Sequence, residues 1–78
     1  MSTEILEAAR RGDYSEVIAY SGIDVKTMDG ILVTSALNGH ARLVNWCLER
    51  YQPRMDVMAR AIQYAQLRGF TEIMMLLL

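Results

Sequence analysis

The sequence is poor in the residues that build covalent links and metal sites. Its 78 residues include one cysteine, one histidine and one proline. A single cysteine excludes a disulfide within the chain, and Cys47 with His40 supplies too few ligands for a structural zinc site. Cys47 lies in an apolar stretch beside Trp46 and Leu48. That setting, with no cationic or histidine neighbour evident, predicts a buried structural thiol.

The sequence also lacks the motifs of common catalytic and nucleotide-binding sites. It contains no G-x-x-x-x-G-K-[ST], no G-x-G-x-x-G and no H-E-x-x-H. Its serines, aspartates and single histidine show no recognisable triad spacing. Glu4 and Glu7 share one helical turn, which is common on solvated helix faces. We therefore expect no enzyme, no cofactor and no bound metal.

The chain also has no large excess of acids or bases, since nine acids nearly balance eight bases and the formal net charge is −1. The charge is uneven, because residues 1–29 carry six acids and three bases, whereas residues 30–78 carry three acids and five bases. Ordinary solvated faces explain this pattern, and a polar partner or head-to-tail stacking of two copies is the alternative. Arginines dominate the bases but are scattered among acids, which does not favour a nucleic-acid partner.

No long hydrophobic run is present. The longest apolar stretch, Ile73 to Leu78, is too short to span a membrane, and residues 1–15 are too polar for a secretory signal. We therefore expect a cytoplasmic (intracellular) protein without a membrane partner. The hydrophobic fraction of 53% is high for a small domain. It predicts either a tightly packed helical core or an apolar surface kept for a partner.

The sequence does contain a short pattern that occurs three times. It reads EAARRGDYSEV at residues 7–17, SALNGHARLV at 35–44 and AQLRGFTEIM at 65–74. Each copy has a small residue four positions before a glycine, namely Ala8, Ser35 and Ala65, and a helical run after it. Self-similarity at a regular period is typical of helical repeat proteins, which usually bind partners rather than catalyse reactions.

Capping and periodicity predict six helices and no strand. The expected spans are 3–11, 13–21, 30–38, 41–51, 54–68 and 71–78. Ser2 is expected to cap the first helix, Asp13 with Glu16 to open the second, and Asp29 to cap the third. Gly22 is expected to end the second helix, and Pro53 fits the first turn of the fifth. Residues 23–29 are expected to form an extended connector, because Ile23 and Val25 alternate with polar residues.

These residues resemble ankyrin repeats. GFTEIMMLLL (69–78) and GHARLVNWCLE (39–49) are similar to the second half of that repeat, and ILEAARRGDYSEV (5–17) is similar to an amino-terminal repeat. The resemblance covers nearly the whole chain and implies that His40 is a loop histidine bonded to backbone. The T-P-L-H motif is absent and the spacing of 27 and 30 residues is short, as in the divergent ankyrins of large DNA viruses and some intracellular bacteria.

The fold expected from the resemblance is an all-α stack of three antiparallel helix pairs, a short ankyrin-like solenoid. Residues 1–78 would form one domain with units of about 1–26, 27–53 and 54–78. A plain helical bundle or a TPR-like array is the structural alternative, although the TPR period is longer and its pattern is not seen. The short spacing leaves open whether hairpin tips project between the units.

The resemblance implies that the first helix of each pair faces a concave groove. Outward side chains would then be Glu7, Arg10, Arg11, Thr34, Leu37, Asn38, Tyr64, Leu67 and Arg68. Leu37 and Leu67 could instead pack against each other. A terminal repeat usually needs a polar outer face, so the apolar run 73–78 predicts contact with a second copy or another protein. The candidate partner-binding residues are Arg10, Arg11, Leu37, Asn38, Tyr64, Leu67, Arg68, Met75 and Leu78.

The expected function is a protein–protein interaction module without catalysis, binding a protein partner or forming a homo-oligomer. The alternative is a small stand-alone inhibitor, made by a virus or mobile element, that blocks a host enzyme or nucleic-acid-processing complex. Four methionines on the last helices, Met55, Met58, Met74 and Met75, have two interpretations. They fill gaps in the core, which we favour, or they form an adaptable binding surface.

Overall fold

The protein is all-α. The computed structural model describes residues 3–78, and within that range the chain forms six helices and no strand. The helices are α1 (Thr3–Arg11), α2 (Tyr14–Ala19), α3 (Val25–Leu37), α4 (Ala41–Arg50), α5 (Met55–Arg68) and α6 (Thr71–Leu77). The β-branched stretch GILVTSALN, which strand propensity alone would favour as a strand, is therefore helical through Leu37.

The third helix begins five residues earlier than predicted. Asp24 is its N-cap, and the Asp24 carboxylate accepts a hydrogen bond of 2.9 Å from the Thr27 backbone N–H. Hydrogen bonding from the Thr27 side chain, and then from this backbone N–H, lowers the pKa of Asp24. The predicted extended connector over 23–29 is wrong, and so is the predicted cap at Asp29. The alternation of Ile23 and Val25 spans only two apolar positions, and the cap at Asp24 decides the conformation.

Other helix ends differ by small amounts. The predicted span of α1 is confirmed, whereas its expected cap, Ser2, lies outside the described residues. The Asp13 cap is confirmed, because its carboxylate accepts from the Glu16 N–H at 3.1 Å. α2 ends at Ala19, before Gly22, and Pro53 precedes α5 without being part of it. The last residues predicted for α4 and α6, Tyr51 and Leu78, are the C-caps of those helices.

One buried cluster joins all six helices. α3 lies at its centre and contacts α1, α4 and α5, while α6 contacts α5 and α4 and α2 contacts α1. The largest fully buried side chains are Ile5, Val17, Ile31, Leu32, Ser35, Leu43, Val44, Cys47 and Ile73. All of them except Ser35 are apolar, and the burial of apolar side chains is the main favourable contribution to folding.

Rings pack against two of the glycines that follow helices. Gly12 has a positive φ of 76°, and a Cβ there would lie 2.5 Å from His40 Nδ1. His40 Nε2 donates a 2.7 Å hydrogen bond to the Arg10 carbonyl, so its ring is held against the end of α1. Gly39 has a φ of 81°, and its Cβ would lie 2.9 Å from the Phe70 ring. The predicted structural role of His40 agrees with this bond.

Candidate interaction surfaces

The three arginines predicted to bind a partner are exposed and make contacts within the chain. Arg10 donates two hydrogen bonds to one Glu7 carboxylate oxygen, at 3.1 and 2.9 Å. Arg11 pairs with Glu16 at 3.0 Å. Arg68 lies 5.5 Å from the centroid of the Phe70 ring. Exposed pairs of this kind are weak, so these guanidinium groups can exchange their partners at low cost.

The other predicted residues fall into two groups. Leu37, Asn38 and Tyr64 are half-buried, and the Asn38 side chain donates to the Thr34 carbonyl at 2.8 Å. The second group is strongly exposed, since Leu67 is 75%, Met75 72% and Leu78 86% accessible. Leu67 therefore does not pack against a neighbour that covers it. Neither cavity described below is lined by any of the nine predicted residues.

The methionines also divide into a buried or half-buried group and an exposed group. Met58 and Met74 pack against the core as predicted, and Met28 is fully part of it. Met55 and Met75 are largely exposed, so the prediction that they fill the core is wrong for these two. The reason is position, because Met75 is two residues from each of the buried Ile73 and Leu77 and therefore lies on the far side of α6.

A groove that the sequence did not predict lies between α2, the following loop, the start of α3 and the end of α4. Its volume is about 590 Å³. We call it the aromatic groove, and it is lined by Tyr14, Ile18, Tyr20, Gly22, Ile23, Val25, Met28, Trp46, Arg50 and Tyr51. Ile18 and Val25 are exposed large apolar side chains within it. Aromatic and arginine side chains are enriched in this way at protein interfaces.

Two arginines of α4 stack on rings of this groove. The Arg42 guanidinium lies 3.7 Å from the centroid of the Tyr14 ring, and that of Arg50 lies 4.9 Å from the Trp46 ring. Arg42, Trp46 and Arg50 are spaced four residues apart and therefore share one side of α4. This spacing is the signal in the sequence that could have indicated the groove.

The far side of the groove is fixed by a hydrogen bond between helices. Tyr51 donates to the Asp29 carboxylate at 2.8 Å. Burial and this bond raise the pKa of the Tyr51 phenol well above its ordinary value. Tyr51 is therefore a neutral donor at physiological pH. Asp29, predicted to be a helix cap, instead links α3 to the end of α4.

The second cavity has a charged lining. Its volume is about 350 Å³, and it lies between the outer sides of α3 and α5. Its charged residues are Lys26, Asp29, Arg54, Asp56 and Arg60. Arg54 pairs with Asp56 at 3.2 Å, and Asp29 accepts a hydrogen bond from Tyr51, so three of these five charged side chains already have a partner within the chain.

The single cysteine of the chain, Cys47, is buried. Burial raises the pKa of the Cys47 thiol to about 12, against the weaker opposing effect of Arg50. The thiol is therefore protonated at neutral pH and is a poor nucleophile. Over residues 3–78, no group of three or more His, Cys, Asp or Glu side chains could hold a metal ion. In the same range, no helix has both the length and the apolar character needed to cross a bilayer.

The fold and these surfaces define an all-α protein with two exposed apolar regions, one on the last two helices and one in the aromatic groove. Comparisons with protein-family models, with curated proteins and with solved structures found no significant match.

Proposed function

We propose that the chain is a protein-binding module without catalysis, built from three stacked helix pairs of a shortened ankyrin-like kind. The pairs are α1 with α2, α3 with α4, and α5 with α6. The contacts support this arrangement, because α3 lies between α1 and α5, and α4 contacts α6. The ring contacts support it too, since the residue after one glycine packs on the glycine of the preceding unit.

The main observation behind the proposal is that equivalent side chains of the second and third units differ in exposure. The glycines of these two units are 30 residues apart. Trp46 is 7% exposed, whereas Leu76 at the equivalent position is 37% exposed. Leu48 packs against the core, whereas its equivalent, Leu78, is 86% exposed. Positions that are covered in the middle unit are therefore open in the last one.

The glycines give the same result. A Cβ on Gly39 would meet the Phe70 ring, whereas nothing lies within 4 Å of a Cβ on Gly69. We name the open surface the C-terminal face and define it as Leu67, Gly69, Met75, Leu76 and Leu78. Exposed apolar side chains of this size, gathered at the end of α5 and on α6, are typical of protein interaction sites. The proposed partner is a protein that covers the C-terminal face.

The proposal is tested by affinity capture from source cells with two variants of equal polarity change. One carries Leu76→Gln and Leu78→Gln on the C-terminal face, and the other carries Ile18→Gln and Val25→Gln in the aromatic groove. We expect the first variant to lose the main partner and the second to retain it. Light scattering on the purified protein identifies the case in which the partner is a second copy.

The concave surface predicted from the sequence supplies the competing outcome. If Tyr64→Ala abolishes capture and the C-terminal variant does not, the binding site is the concave helix surface and the proposal for the C-terminal face is wrong. Circular dichroism melting curves establish that each variant is folded before capture is compared.

A further inference from the structure

We propose that the aromatic groove is a second binding site, specific for an acidic amphipathic helix of a protein partner. An apolar side chain of that helix enters the groove beside Ile18 and Val25. Two of its carboxylates pair with Arg42 and Arg50. The groove is formed by α2, α3 and α4 and shares no residue with the C-terminal face, so this inference is independent of the proposed function.

The apolar part of the site is open in the absence of a partner. Ile18 and Val25 lie on different helices and are both exposed, although they line a cavity whose inner wall includes the buried side chains Met28 and Trp46. The cavity volume of about 590 Å³ lies in the range typical of ligand-binding clefts, which is large enough for an apolar side chain. An apolar side chain placed there would cover both exposed residues at once.

The two arginines place positive charge at the site. Stacking on Tyr14 and Trp46 restricts both guanidinium groups, so less side-chain entropy is lost when they bind a carboxylate. They are eight residues apart on α4, which corresponds to about 12 Å along the helix axis. Two glutamates two turns apart on a partner helix match this distance.

Acidic side chains around the groove are already engaged within the chain. Glu16 pairs with Arg11, and Asp24 caps α3. Glu49 contacts Arg50 at 3.6 Å and accepts a hydrogen bond from Asn45. Within the described residues Arg42 has no carboxylate within 4 Å, so its charge remains uncompensated. The unpaired charge of Arg42, beside the Tyr14 ring at the edge of the groove, therefore favours an acidic over a basic partner.

A protein helix fits the groove better than a nucleic acid does. Single-stranded nucleic acids bind by stacking bases on open aromatic faces. Here Arg42 covers the Tyr14 ring and Arg50 covers the Trp46 ring, and Trp46 is almost fully buried. Bases would have to displace these guanidinium groups, whereas carboxylates bind to their outward edges without displacing them.

The test uses the only tryptophan of the chain, Trp46, as a fluorescent probe inside the site. The ligand is a synthetic helical peptide of about 16 residues. It carries two glutamates two turns apart with a phenylalanine between them, and it contains no tryptophan or tyrosine. We expect a saturable change in Trp46 emission that weakens as salt rises. A control peptide with lysines in place of the glutamates should produce no saturable change.

Matched variants locate the site. Arg42→Gln should raise the Kd about fivefold, whereas Arg60→Gln, an equal charge change on an exposed arginine of α5, should change it less than about twofold. Ile18→Gln should raise the Kd about tenfold, and Met55→Gln should leave it unchanged. Melting curves confirm that all four variants fold.

Three results would overturn the inference. They are binding of the lysine peptide with equal affinity, equal losses in Arg42→Gln and Arg60→Gln, and displacement of the glutamate peptide by a short oligothymidylate. The last result would make the groove a nucleic-acid site. None of these results affects the C-terminal face, whose variants are tested separately.

Discussion

At the scale of single residues, one of the three small positions before the repeated glycines buries a hydroxyl group without a partner. Ala8, Ser35 and Ala65 occupy equivalent places and are all fully buried. The Ser35 hydroxyl has no hydrogen-bond partner among the described residues. A buried hydroxyl without a partner loses its hydration and gains nothing in return, which costs about 1–3 kcal/mol. The other two units avoid this cost because they carry alanine.

We expect Ser35→Ala to raise the free energy of unfolding by about 1 kcal/mol, because alanine fits the same space without a hydroxyl. Urea denaturation followed by circular dichroism measures the change. Ser15→Ala on the exposed side of α2 is the control and should alter stability by less than about 0.5 kcal/mol. A loss of stability in Ser35→Ala would mean that the hydroxyl is bonded in solution.

Single residues were predictable from the sequence where one local property decides their place. Cys47 was expected to be buried because its neighbours are apolar, and it is. Met55 and Met75 were misjudged, since an apolar residue lies inside or outside according to its angular position on a helix. That position depends on the helix boundaries and on which side meets a neighbour, and composition contains neither.

At the scale of elements, capping chemistry predicted more than residue propensity did. The Asp13 cap and the glycines after α1, α3 and α5 placed those helix ends within a residue or so. The start of α3 was missed because Asp24 and Asp29 both have capping side chains. Only the structure shows that Asp29 is instead bonded to Tyr51, from the end of another helix. A long-range hydrogen bond of this kind leaves no local signal in the sequence.

Glycine substitutions provide a prediction at this scale. All three of Gly12, Gly39 and Gly69 have a positive φ, so alanine costs about 1–2 kcal/mol at each. At Gly12 the new Cβ also meets the His40 ring, which its bond to the Arg10 carbonyl holds in place. We expect Gly12→Ala to cost a further amount of about 1–3 kcal/mol, as overpacking usually does.

Gly69→Ala is the matched control, because its backbone strain is similar and no atom lies within 4 Å of the new Cβ. Gly39→Ala should lie between the two, since the Cβ meets the far end of the Phe70 ring. The measurement is the free energy of unfolding of all three variants in urea. Equal losses in the three variants would show that the rings do not join the units as described.

At the scale of the whole molecule, the two exposed apolar regions are not equally predictable from the sequence. The run 73–78 is continuous in the chain, so a contact surface there could be anticipated from repeat position, although Ile73 and Leu77 within the run are buried. The aromatic groove joins residues from 14 to 51 that meet only after folding. Its tyrosines carried no pattern of their own, and only the arginines flanking Trp46 at four-residue spacing gave a local sign of it.

Local stability across the molecule should follow the length of each helix and the number of helices that it contacts. α3 has 13 residues and contacts α1, α4 and α5, so its amides open only when much of the domain unfolds. α2 has six residues and buries only Val17, so it can open while the rest remains folded.

Amide hydrogen exchange followed by NMR should therefore show the slowest rates in α3, intermediate rates in α4 and α5, and the fastest in α2 and α6. If a protein covers the C-terminal face, its addition should slow exchange in α6 while α2 remains fast, because α2 contributes no residue to that face. Uniform protection across all six helices would instead indicate a single cooperative unit without separable ends.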